Sequence, residues 1–99
     1  MTRNDLKVFF NRYAETDESH NFERIEVKFS KRHDLHAFIL LDKLMPDGHA
    51  TISASKHDEI FLAFDVDELA ELITEEQILE LVRCGVGYDN HHDVLYKFV

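Results

Sequence analysis

HDEIFLAFDVDELAELITEEQILELVRCG, residues 57–85, reads as a strand followed by two short acidic helices. Ile60, Leu62 and Phe64 share one face of an extended run, the period-two pattern of a strand with one buried side. Asp65 or Asp67 then caps a short helix through Ile73, with Leu69, Leu72 and Ile73 facing inward. Thr74-Glu75-Glu76-Gln77 is a capping-box sequence, in which the Thr hydroxyl and the Gln side chain satisfy orphan backbone donors at a new helix start. That second helix runs to Cys84 and buries Ile78, Leu81 and Val82. Gly85 stops it in the left-handed conformation that only glycine adopts without penalty.

Outward from this stretch, the tail VGYDNHHDVLYKFV is a strand pair, Val86–Tyr88 and Val94–Phe98, around an Asp89–Asp93 turn. Upstream, Thr51–Ser55 pairs as a hairpin with Ile60–Phe64 across Lys56–Glu59. Leu35–Leu44 is a helix started by Asp34 and ended by Met45-Pro46-Asp47-Gly48, since Pro46 cannot continue it. Ile25, Val27 and Phe29 alternate with Glu26, Lys28 and Ser30, the signature of a half-buried strand within FERIEVKFS. Leu6, Phe9, Phe10 and Tyr13 fall at i, i+3, i+4 and i+7, so residues 5–15 form a helix capped by Asn4 or Asp5. The expected order is α-β-α-β-β-α-α-β-β. That is one α+β domain over residues 1–99, with helices packed on a mainly antiparallel sheet.

The 99 residues suit a single domain, and 44% hydrophobic content with eight Phe supplies one core. A net charge of −9 argues against binding nucleic acid or anionic lipid directly, because both carry the same sign. The single Cys84 excludes an internal disulfide and fits a reducing compartment. The apolar run Ala37–Leu41 is far too short to cross a membrane, and MTRND contains no hydrophobic signal region. The expected location is the cytoplasm.

The charge is not spread evenly. Asp58, Glu59, Asp65, Asp67, Glu68, Glu71, Glu75, Glu76 and Glu80 fall between residues 58 and 82, where there is no Lys or Arg. Without those nine carboxylates the chain would be neutral. Asp67, Glu68, Glu75 and Glu76 sit in first helical turns, where negative charge complements the helix dipole. Glu71 and Glu80 lie further along, and Asp67/Glu71 and Glu76/Glu80 are like-charge i, i+4 pairs that weaken a helix. That local cost points to selection for charge itself.

Catalytic patterns are thin by comparison. Seven His include the pair His33 and His36, the turn His91-His92-Asp93 and His57-Asp58, but no zinc spacing accompanies them. Asp89–Asp93 and Asp65-Val66-Asp67 lack the glycine and terminal glutamate of a calcium loop. No glycine-rich phosphate loop is present, so no nucleotide cofactor is implied, nor any other cofactor. Cys84 sits at the wrong helix end for thiolate stabilisation, and Ser53 and Ser55 lack a nucleophile-elbow context. A histidine-dependent metal hydrolase is therefore the weakest reading.

The favoured reading is a non-enzymatic protein-binding module. Its acidic face comprises Asp65, Asp67, Glu68, Glu71, Glu75, Glu76 and Glu80, and its partner is a basic protein surface. Carboxylates in such helical pairs stand about 5–6 Å apart at Cβ, close to phosphate spacing, so a nucleic-acid-binding groove is a natural target. The alternative is a structural or regulatory subunit, including a homodimer, that associates through an apolar patch or an open sheet edge.

HDEIFLAFDVDELAE, TEEQILELVRCGVGYD and the terminal strand ending Phe98-Val99 resemble small acidic proteins carried by bacteriophages and prophages. The likeness covers the C-terminal half. It implies an inhibitor of a host system in the host cytoplasm, anti-defence proteins that mimic nucleic acid among them, and no catalytic residue.

Overall fold

The computed structural model describes residues 1–16, 22–45, 52–56, 59–62 and 65–98. In them, three helices start on side-chain caps. Thr2 Oγ1 accepts the Asp5 N–H at 3.2 Å and Asp5 Oδ2 accepts the Thr2 N–H at 3.0 Å, so α1 (Arg3–Ala14) opens on a reciprocal box. The helix thus begins upstream of the expected Asn4 or Asp5 cap, and Asp5 is the third residue within it. Leu6 and Phe10 are fully buried on the expected face, with Phe9 and Tyr13 packed at its rim.

One expected strand is absent. Phe22–Arg24 form a 3₁₀ turn, and residues 25–32 follow as an irregular segment that pairs with no strand. Ile25 is buried, but Val27 is 75% exposed and Phe29 39%. Alternation selects a face, yet a strand also needs a neighbour to bond. Here the four described strands bond one another. The observed order is therefore α-α-β-β-α-α-β-β, with the 3₁₀ turn between the first two helices.

α2 spans His33–Leu44 and begins earlier than Leu35. Its N-cap is Arg32, which makes no side-chain cap bond, and the expected cap Asp34 lies inside the first turn. Its buried side is His36, Ala37, Leu40 and Leu41, and Leu35 is exposed.

β1 (Ile52–Lys56), β2 (Glu59–Leu62), β3 (Val86–Asp89) and β4 (Val94–Phe98) form a sheet in the order β1-β2-β4-β3, antiparallel throughout. The last strand is therefore internal. Expected residues 57, 58, 63 and 64, with Phe64 among them, and the 46–51 connection lie outside the described residues. Ile60, Lys97 and Val86 are in register across three strands, and Tyr88 pairs with Leu95. These side chains share one face with Leu62, the face buried beneath the helices. On the opposite face Phe61, Tyr96 and Gly87 align, and Tyr96 lies across Gly87.

α3 (Val66–Leu72) and α4 (Glu75–Arg83) both pack on α1, and α1 and α4 pack on β3. Asp65 Oδ1 caps α3 by accepting from the N–H groups of Asp67 and Glu68 at 2.9 and 3.3 Å. Thr74 and Gln77 form the expected box at α4, and Gly85 follows at φ 87°. Ile78, Leu81 and Val82 are buried as expected. Leu72 is not: it is 53% exposed. At 100° per residue, Val66, Leu69, Ala70 and Ile73 already fill the inward arc of α3, and Leu72 falls outside it. One hydrophobic cluster joins residues of all four helices and three strands, so α+β describes the chain. Among the described residues, no helix is long and apolar enough to cross a membrane.

Candidate functional site

The seven acidic residues separate into two groups once placed. Asp65 is consumed as the α3 cap. Asp67 pairs with Arg3 of α1 at 3.4 Å, an exposed contact of small energetic weight. Glu75 accepts a hydrogen bond from the Tyr13 hydroxyl of α1, and this bond is the main reason the Tyr13 phenol is held above its ordinary pKa. Glu80 points inward: its carboxylate lies 3.1 Å from Nε2 of the buried His36, and its side chain is 27% exposed. These four have structural work.

Glu68, Glu71 and Glu76 do not. All three side chains are exposed and make no hydrogen bond or ion pair with another described residue. Glu68 and Glu76 sit in first turns, where the dipole favours them. Glu71 is in the last turn of α3, where negative charge opposes the dipole and no basic residue offsets it. Helical rotation places Glu68, Leu72 and Glu71 on the solvent side of α3. Leu72 is thus exposed one turn from Glu68, and Glu76 is exposed in the first turn of α4.

A second constellation escaped the sequence pattern. His36 is fully buried and Lys97 is 1% exposed. The Lys97 ammonium, from β4, donates to His33 Nδ1 at 2.9 Å at the start of α2. His36 Nδ1 accepts the backbone N–H of Phe29 at 3.0 Å. Its ring stacks on Phe29 with centroids 4.9 Å apart and an interplanar angle of 16°, and meets Phe22 edge-on at 5.6 Å. α2, α4, β4 and the 22–30 segment thus converge on groups far apart in sequence. The only local signal was the i, i+3 spacing of His33 and His36, which share a face because α2 begins at His33.

These histidines are engaged with the protein's own groups. Among the described residues no three His, Cys, Asp or Glu side chains converge as a metal-binding group. Cys84 is buried at the end of α4, and burial, reinforced by Glu80, pushes its thiol up to about 12 against the opposing pull of Lys97. A thiol so held is a poor nucleophile at neutral pH. In the β3–β4 turn, burial alone would raise the Asp89 carboxyl. The His92 ring and the N–H groups of His91 and His92, all bonded to it, hold it below its ordinary value instead. His92 therefore orders a turn whose last residue, Asp93, adopts φ 53°.

The chain matches no protein-family model, and no curated protein or solved structure is significantly similar to it.

Proposed function

We propose that this chain is a non-enzymatic acidic binding protein that occupies a basic, nucleic-acid-binding surface of a host protein. Its contact surface is the solvent side of α3 and the start of α4, with Glu68, Glu71 and Glu76 as the charged contacts and Leu72 as the apolar one. Asp65, Asp67, Glu75 and Glu80 contribute field but are tied to the fold. Glu71 carries the reading: an exposed carboxylate in the last turn of α3, with no basic partner among the described residues, opposes the helix dipole, a local cost that a partner outside the chain would offset.

The test compares two triple variants with the same change in net charge. Glu68→Lys/Glu71→Lys/Glu76→Lys reverses the surface, and Glu15→Lys/Glu23→Lys/Glu26→Lys reverses exposed carboxylates elsewhere. Tagged protein is used to capture its partner from host cytoplasm at low and high salt, with duplex DNA as competitor. Loss of capture in the first variant only, release by salt and displacement by DNA support the proposal. Equal capture by wild type and the first variant overturns it. A salt-insensitive homodimer in sedimentation, unaffected by either variant, would favour a structural subunit instead.

A further inference from the structure

His36 has no exposure to solvent, yet it is a titratable group held by three neighbours of different character. Because Nδ1 accepts the Phe29 N–H at 3.0 Å, the neutral ring carries its proton on Nε2. Nε2 faces Glu80 Oε2 at 3.1 Å without an aligned hydrogen bond. The Phe29 ring lies flat against the imidazole, and Phe22 stands edge-on to it. One backbone bond, three ring contacts and the Lys43 ammonium over the Phe29 ring tie the irregular 22–30 segment to α2, while Phe22 and Ile25 seat its first half against the core. No strand ladder holds that segment in their place.

We propose that His36 is a proton-operated latch, and that protonation of its imidazole at Nδ1 releases the backbone around Phe29 from α2. An imidazolium has two N–H donors and no acceptor. Once Nδ1 takes a proton from solvent, two donors face each other where one hydrogen bond stood. The buried site gives the new N–H no water to turn to, so the Phe29 amide has to leave.

The surrounding charges set the balance. The Glu80 carboxylate on α4 faces Nε2 at 3.1 Å. His33, one turn back on α2, is backed by the Lys97 ammonium of β4. Lys43 of α2 stands 4.2 Å from the centre of the Phe29 ring, and Lys28 of the segment stands 5.1 Å from that of Phe22. Protonation thus places a further cation against aromatic rings that already serve ammonium groups. Glu80 is its counterion, and the Phe29 bond is what it displaces. The latch is independent of the binding surface, since it uses Glu80 only as the carboxylate facing Nε2.

The experiment is an NMR titration of the full chain. His36 ring resonances report its protonation, and amide exchange, expressed as protection relative to the intrinsic rate, reports the Phe29 N–H. The expected result is a fall in Phe29 protection of about tenfold, the weight of one net hydrogen bond, in step with His36 protonation. The backbone amides of α3 and α4 should keep their protection. His36→Gln, which takes up no proton, should show Phe29 protection that is constant with pH. His36→Phe, which keeps the stack but offers no acceptor, should show low protection at every pH. If either variant fails to fold, the wild-type titration decides alone. Phe29 protection that persists through His36 titration overturns the latch. So does a His36 ring that stays neutral until the whole chain unfolds.

Discussion

At Gly87 the Tyr96 ring fills the space that a side chain would occupy: a Cβ there would stand 2.7 Å from the ring's phenolic end. The two residues are register partners on the face of the sheet away from the helices. Gly87→Ala should therefore cost about 1–3 kcal/mol, the ordinary range for overpacking, as read by urea denaturation. The obstacle is the far end of a side chain and not backbone, which favours the lower end. In a Tyr96→Ala background the same substitution should cost less, and an unchanged cost in that double-mutant cycle would show that the ring is not the obstacle. Glu71 poses the opposite case. Glu71→Lys should leave thermal stability unchanged or slightly raised, because it converts an unfavourable charge at the end of α3 into a favourable one. The same substitution should weaken partner binding. A variant that gains stability and loses function separates the two roles of the residue.

Among the elements, those with local instructions were legible in the sequence. Thr74 and Gln77 lie three residues apart, and their box forms as written. Thr74→Ala should cost about 1 kcal/mol in denaturant unfolding, with the m-value retained. A loss well below that would mean the packing of Ile78, Leu81 and Val82 alone fixes the start of α4. Strand Val86–Asp89 and strand Val94–Phe98 also fall where their turn residues put them. The failure at residues 25–29 is informative because its pattern was as clean. Ile25, Val27 and Phe29 alternate, but pairing is a long-range property, and the sheet assembled from other partners. Leu72 lies outside the core for a related reason, since seven residues of helix offer only a narrow inward arc. The Lys97–His33 and Glu80–His36–Phe29 contacts bridge separate elements, so no spacing could announce them. The acidic surface was half legible: its charge was visible, but which carboxylates were already engaged by Arg3, Tyr13 and His36 required the fold.

For the molecule as a whole, buried acids with raised pKa values set its response to alkali. Burial pushes the Cys84 thiol from 9.0 and the Tyr88 phenol from 10.0, each to about 12; the Tyr88 hydroxyl also donates to Asp93. Between those values the folded chain keeps protons that the unfolded chain gives up. Stability from these groups is thus complete below about pH 9 and drains away as pH rises toward about 12. Urea midpoints measured across that range should fall, and Cys84→Ala should delay the onset to the Tyr88 range. A flat profile in wild type would contradict the burial of both groups. The same fold leaves Glu68, Glu71 and Glu76 exposed and engages Asp65, Asp67, Glu75 and Glu80 within the chain, so the proposed binding surface and the fold draw on different charges. The most direct measurement is partner capture by wild type and by the two charge-reversed triple variants, in low and high salt. With the proposed surface, Glu68→Lys/Glu71→Lys/Glu76→Lys should abolish capture while Glu15→Lys/Glu23→Lys/Glu26→Lys retains it, with salt releasing the partner in both proteins that bind. Undiminished capture by the first variant would contradict it.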